Sequence, residues 1–377
     1  MLFYSAWPLD YHNQEAARKA QGLADGGYDV VYIAGVGTRN PGLSNIPKLV
    51  DRVSRKLRSP VARTGPVAGL RCASVLVLPP RQLDVVGRWN TSWLGRQLER
   101  AIPEWNEAVA WVRWPTPELV QFLQRRPPAA VIYDCVDPHH RSPGLTGRWA
   151  GPHEQAERAL VAQAGAVLVP GEVLAERFRA WGAANVRVLP HGVDLFPWSP
   201  RHPSSRVVVG FVGTLDYRID IRPVRRIAEA HPGWSVRLVG PVQEGFTPKS
   251  FTDLPNVSVE PPVSYKDLGA TLRQFDVGLM PYVESRHYYP VKNLELMAAG
   301  RAAVAAPSPA LQPYANLLYF ARSPEEFVRQ TERALEEDSP ELAARRRTVA
   351  EANTWDMRIE EIRELVDQVL SRAGTRP

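Results

Sequence analysis

The sequence predicts an α/β protein made of two doubly wound halves, each a mostly parallel sheet covered by helices. Three observations point there. Short apolar runs alternate with longer amphipathic stretches along nearly the whole chain. One Pro- and Ser-rich segment without any period, HGVDLFPWSPRHPSS from His191 to Ser205, interrupts that alternation once and reads as a linker. The length, 377 residues, suits two domains of ordinary size.

Composition narrows the class. Hydrophobic residues make up 44% and charged residues 23%, as in soluble globular proteins. The net charge of +6 fits an anionic substrate or an anionic surface. The basic residues are dispersed and no aromatic–basic motif occurs, so nucleic-acid binding is not expected. Cys72 and Cys135 have no metal-ligand spacing and form no disulfide framework, which suggests a reducing, cytoplasmic setting. The start, MLFYSAWPLD, lacks a basic region and an apolar core, so it does not read as a signal peptide. No apolar run approaches the ~18 residues of a membrane span.

In the first half, Leu2–Ala6 reads as a buried strand. Asn13–Ala24 reads as a helix with Ala16, Ala17, Ala20 and Leu23 on one side, stopped by Gly26 and Gly27. Val30–Ala34 is the second strand, so the loop Trp7–His12 falls at a carboxyl edge. Ile46–Leu57 places Ile46, Leu49, Val50, Val53 and Leu57 on one helical face, with Lys48, Arg52, Arg55, Lys56 and Arg58 around the rest. That basic amphipathic segment, 46–58, suits either packing on its own sheet or lying on an anionic membrane. Strands follow at Ser74–Leu78, Val109–Val112, Ala130–Tyr133, Ala166–Val169 and Val186–Leu189. The helices between them are expected at Ser92–Ala101, Pro117–Gln124, Pro152–Gln163 and Gly171–Trp181. Trp7, Trp89 and Trp93 fall in or beside expected loops, where an indole can stack on a sugar.

In the second half, strands are expected at Val207–Val212, Ser235–Val239, Val257–Val259, Val277–Met280, Ala302–Ala305 and Leu317–Phe320. Helices are expected at Ile221–Ala230, Tyr265–Gln274, Val291–Ala299, Pro324–Glu336 and Pro340–Ala352. A last helix, Trp355–Leu370, trails beyond the second sheet.

Doubly wound sheets bind ligands beyond the carboxyl ends of their strands. The stretch Phe275–Pro307, FDVGLMPYVESRHYYPVKNLELMAAGRAAVAAP, has strand, polar loop, helix start and strand in succession. Its helix begins at Pro290, where a missing N–H costs nothing, and ends at Gly300. His287, Tyr288, Tyr289, Lys292 and Glu295 converge on that helix start, which suits a diphosphate on free backbone N–H groups. Gly213 and Thr214 end one strand and lead to Arg218, a phosphate partner by charge. Gly240 ends the next strand, beside a slot sized for a base.

DVGLMPYVESRHYYPVKNLELMAAGRAAVAA resembles the donor-site signature of GT-B glycosyltransferases, in particular the family-4-like bacterial group. VVVGFVGTLDYRID resembles the start of that group's second domain. LPHGVDLFPW resembles its interdomain linker, and YDCVDPH resembles a stretch ending a first-domain strand. The resemblance implies two Rossmann-like domains facing across a cleft: an acceptor-binding domain over 1–195 and a donor-binding domain over 196–354. The C-terminal helix, 355–377, is free to cross back to the first. It also implies a nucleotide-sugar donor, with UDP as the expected nucleotide, and a glycan, lipid-linked or small-molecule acceptor.

Carried over by position, Glu295 is the second glutamate of an E-x7-E motif and binds the donor ribose. Tyr289, Pro290 and Val291 form the helix start facing the diphosphate. His287 stands where the first glutamate is usual, and the Arg–Lys pair expected after Gly213 is missing, leaving Arg218 or Lys292 to meet the phosphate charge. No DxD triplet occurs, and metal independence, with no cofactor beyond the donor itself, is expected. An inverting mechanism would use His12 as base, oriented by Asp134 or Asp137. A retaining one, slightly favoured by the resemblance, would place His139 or Asp137 on the transferred sugar beside His287. Trp7, Asp10, Trp89 and Trp93 are the acceptor-side candidates. A nucleotide-sugar epimerase or phosphorylase of the same fold, or a catalytically silent partner, are the competing readings.

Overall fold

The computed structural model describes residues 1–5, 14–34, 63–64, 69–75, 77, 84–137, 150–197, 206–283 and 290–374. The chain divides into two compact units, Met1–Pro190 with Arg358–Pro377, and His191–Met357.

The first unit holds strands β1 (Leu2–Tyr4), β2 (Val30–Ala34), β3 (Arg63–Thr64), β4 (Leu70–Ser74), β5 (Val109–Val112), β6 (Ala130–Asp134), β7 (Ala166–Val169) and β8 (Val186–Val188). Their order is β3-β4-β2-β1-β5-β6-β7-β8, parallel apart from β3 against β4. Helices α1 (Gln14–Asp25), α2 (Asp84–Ala101), α3 (Pro117–Arg125), α4 (Ala150–Gln163) and α5 (Glu172–Ala180) connect them. Strand order reverses between β1 and β5, the switch point at which doubly wound sheets open a crevice.

Two expectations shift here. The strand expected at 74–78 lies at 70–74, because its ladder to β2 starts where Val30 N–H donates to Gly69 O at 2.8 Å and runs to Ala34 opposite Ser74. The helix expected from Ser92 begins at Asp84. Val85, Val86 and Gly87 are poor helix formers, but burial of Asn90, Thr91, Leu94 and Leu98 outweighs that preference. Trp89 and Trp93 therefore stand inside a helix and not in loops.

The second unit carries β9 (Val208–Val212), β10 (Ser235–Val239), β11 (Val257–Glu260), β12 (Val277–Met280), β13 (Ala302–Ala305) and β14 (Tyr319–Phe320), all parallel in the order β11-β10-β9-β12-β13-β14. The helices are α6 (Ile221–Ala230), α7 (Tyr265–Arg273), α8 (Lys292–Ala298), α9 (Pro324–Glu337) and α10 (Pro340–Glu351). Side chains alternate between two cores, as strand geometry requires. Val212, Val239, Met280, Ala303 and Ala305 face α7, α8 and α10. Phe211, Val236, Leu238, Leu279 and Val304 face α6 and α9. On the first of these faces a Cβ at Gly210 would meet the Phe275 ring at 2.3 Å, and one at Gly278 would meet Leu296 at 2.4 Å. These bare positions let Phe275 and α8 lie directly on the sheet.

The last helix, α11 (Trp355–Arg372), places residues from Arg358 onward in the first unit. Ile362, Leu365, Val366, Val369 and Leu370 join the core around β1, β2 and β6. Arg363 donates to Gly22 O from Nε at 3.1 Å and from Nη2 at 2.7 Å, and Tyr28 donates to Asp367.

Candidate active site

In the second sheet the order reverses between β9 and β12, so the loops after those strands flank its crevice. The turn after β9 is held by Gly213 N–H to Val239 O at 2.9 Å and Leu215 N–H to Pro241 O at 3.0 Å. The loop after β12 is tied to the same turn through Asp220 N–H to Pro281 O at 2.7 Å and Val283 N–H to Arg218 O at 2.8 Å. Gly213 and Gly240 have φ of 156° and 151°. A Cβ on Gly240 would stand 1.9 Å from Gly213 O, so only glycine lets these two turns meet.

The start of α8 closes the crevice. Leu294 and Glu295 N–H donate to Val291 O at 3.0 and 3.2 Å, which leaves the N–H groups before them without an acceptor within the helix. Lys292 Nζ lies 2.7 Å from Glu295 Oε2, and Glu295 is buried at 5% exposure. A Cβ on Gly213 would lie 3.2 Å from Lys292 Cε, which brings the β9 turn and the first residue of α8 together. Gly300, at φ 70°, ends the segment, with Arg301 N–H bonded to Leu296 O at 2.9 Å. Pro290 is buried at the loop's exit.

Tyr265, the first residue of α7, stands beside Glu295. Burial first, then the negative charges of Asp194 and Glu295 and a hydrogen bond to Asp194, push the Tyr265 hydroxyl well above its ordinary pKa. The phenol therefore stays neutral and serves as a donor. The sequence signal was the HGVD segment, whose aspartate proves to be its partner. Arg218 is bound to Asp216 in a two-pronged pair, Nε to Oδ1 at 3.0 Å and Nη2 to Oδ2 at 2.8 Å. Its guanidinium can meet a phosphate only by sharing or leaving that carboxylate.

Gly213, Thr214, Arg218, Gly240, Pro290, Val291, Lys292 and Glu295 are thus all placed at one edge of one sheet. His287, Tyr288 and Tyr289 lie outside the described residues, as do Trp7, Asp10, His12 and His139, and the segment 46–58. In the first unit Asp137 is exposed at the carboxyl end of β6, next to Cys135, whose Sγ contacts its carbonyl oxygen at 3.3 Å. Asp134 is fully occupied. It accepts from Lys19 Nζ at 2.9 and 3.0 Å and from Trp111 Nε1 at 3.1 Å, and it pairs with Arg113 at 3.1 Å. Glu15 completes the cluster, 2.6 Å from Lys19 and 3.1 Å from Arg113. Asp134 is therefore a structural anchor. Trp89 and Trp93 stack on each other along α2, with centroids 5.3 Å apart.

Two doubly wound units, the second with its ligand crevice at the β9/β12 switch, make the GT-B architecture, and the chain is a glycosyltransferase of that type. Residues 221–364 match the family described as "Glycosyl transferase-like". The chain is 24% identical over 313 residues to the Bacillus subtilis protein named "Putative teichuronic acid biosynthesis glycosyltransferase TuaH", covering 73% of this chain and 76% of that one. Its fold is similar to sucrose-phosphate synthase from Thermosynechococcus elongatus, with TM-score 0.74, 14% identity and coverage of 98% and 99%. It is also similar to Anabaena HepE solved with UDP-glucose, with TM-score 0.65, 13% identity and coverage of 97% and 99%.

Proposed function

We propose that the protein moves a sugar from a nucleoside-diphosphate sugar, bound at the β9/β12 crevice, to a hydroxyl of a glycan, lipid-linked or small-molecule acceptor. The observation that carries this reading is the buried Glu295 carboxylate holding Lys292 at the start of α8. Among the described residues, Glu295 takes a hydrogen bond only on Oε2, from Lys292. Its other oxygen is open to the ribose hydroxyls. Lys292 and the first-turn N–H groups meet the diphosphate, whose negative charge grows as the sugar leaves. Because these groups supply the countercharge, and the sequence has no DxD triplet, the transfer runs without a metal ion. Gly213 and Gly240 allow the close approach of backbone that a nucleotide needs. HepE was solved with UDP-glucose, and UDP is the nucleotide to test first. Retention of anomeric configuration is the stereochemistry that the family-4-like sequence of the site favours.

The test is calorimetric. UDP should bind the wild-type protein, and Glu295→Gln should weaken it roughly 10- to 100-fold, as expected for lost charge-assisted hydrogen bonds. Undiminished binding by that variant would remove Glu295 from the site. Product anomers read by proton coupling constants decide between retention and inversion. Turnover that collapses with EDTA and returns with a divalent ion would overturn metal independence.

A further inference from the structure

Helix α2 links β4 to β5 within a parallel sheet, so it runs opposite to the strands. Its start, with Val85 and Trp89, stands at the carboxyl edge of the first sheet, and its end points to the other edge. Val85 is 79% and Trp89 46% exposed. Below them, α2 and α3 enclose a groove of about 380 Å³ lined by Ser92, Arg96, Glu99, Arg125 and Arg126 among others. The two helices approach closely at Gly95, where a Cβ would meet the Phe122 ring at 2.6 Å. Three guanidiniums face one carboxylate there. Glu99 pairs with Arg126 at 3.2 Å, while Arg96 and Arg125, both exposed, have no ion pair among the described residues. At 1.5 Å per residue, Trp89 and Arg96 lie about 10 Å apart along one helix face. The stripe thus runs from an aromatic platform at the ligand-binding edge to unpaired positive charge.

We propose that this groove is a track for an acidic glycan, with one sugar stacked on Trp89 and the carboxylates of units further along received by Arg96 and Arg125. The face of an indole is negative and attracts the polarised C–H bonds of a sugar ring. A guanidinium fork matches a carboxylate, and the unpaired arginines need no internal pair broken. A lipid bilayer fits less well. A flat surface would touch Val85 and Trp89 but could not enter a groove between helices. The inference rests on the glycosyltransferase reading, and it names the acceptor as a negatively charged polysaccharide extending from the site.

Binding of decameric polygalacturonate, titrated without donor, tests the track apart from the transferase reading. The wild-type protein should bind it, more weakly in 0.5 M salt, and should not bind a maltodextrin of equal length. Arg96→Ser with Arg125→Ser should weaken binding roughly 2- to 25-fold, given up to about fivefold per exposed pair. Trp89→Ala should weaken it independently, and UDP affinity should be unchanged in all variants. Equal binding by wild type and the double variant would overturn the proposal. So would equal binding of maltodextrin, or attachment to phosphatidylglycerol vesicles with none to polygalacturonate. If polygalacturonate binds as described but no sugar is transferred, the track stands and the transferase reading falls.

Discussion

Glu157, on α4, is 1% exposed and accepts a hydrogen bond from Tyr133 Oη at 2.5 Å, with Arg177 3.5 Å away. Burial is the largest influence on its carboxyl and pushes its pKa up, against the smaller pull of Tyr133 and Arg177. A folded-state pKa above the unfolded one means stability fully present below the unfolded value and withdrawn as pH rises through the folded value. Glu157→Gln removes this titration. The variant should gain on wild type as pH climbs from about 4.3 to 8, measured as the difference in Tm. A difference that stays flat over that window would remove Glu157 as a source of the pH dependence. Single residues were unevenly legible in the sequence. Lys292 and Glu295 could be read because their spacing on a short helix after a strand limits where they point. Asp134 could not be read as an anchor. Its partners Lys19, Trp111 and Arg113 are distant in sequence, and nothing local marks a carboxylate as already neutralised.

Among elements, α11 shows most clearly what amphipathic pattern leaves open. Its apolar stripe predicted burial but not which sheet would receive it, since leucine and valine fit either core. The decisive signal was Gly22, inside α1, where glycine costs about 1 kcal/mol against alanine. A Cβ there would meet Ile359 at 2.5 Å, and one on Gly26 would meet Arg363 at 2.5 Å. Two glycines four residues apart make the bed in which α11 lies. Ile362→Ala should therefore destabilise the first unit by about 2–5 kcal/mol, the usual range for removing a buried aliphatic side chain. Urea unfolding followed by tryptophan emission would report it, because the core that receives Ile362 also contains Trp111. A midpoint equal to wild type would mean that the helix does not support that core. Helix α2 was misread for the opposite reason. Local propensity argued against a helix over Val85–Gly87, and packing decided otherwise.

At the scale of the molecule, both units use one rule: parallel strands reverse order once, which is where doubly wound sheets receive a ligand. The rule was readable from the alternation of strands and helices, whereas the return of the last helix to the first domain was suggested only by the resemblance, and Arg358 onward does belong to the first unit. It also makes the site's response to nucleotide specific in place. UDP at about 100 times its Kd should stabilise the bound state by about 2.7 kcal/mol. Amides that exchange by openings incompatible with UDP binding should slow by up to about 100-fold. Hydrogen exchange should therefore slow in the turn from Gly213 to Asp220, around Gly240 to Phe246 and over Val291 to Ala299, which hydrogen bonds and close packing join at one edge. The α2–α3 groove should not respond. Glu295→Gln should cut the protection to about 2- to 11-fold at matched UDP concentration while leaving the uncomplexed exchange pattern unchanged. Protection appearing in the first unit alone, or persisting in full in that variant, would move the donor site away from the β9/β12 crevice.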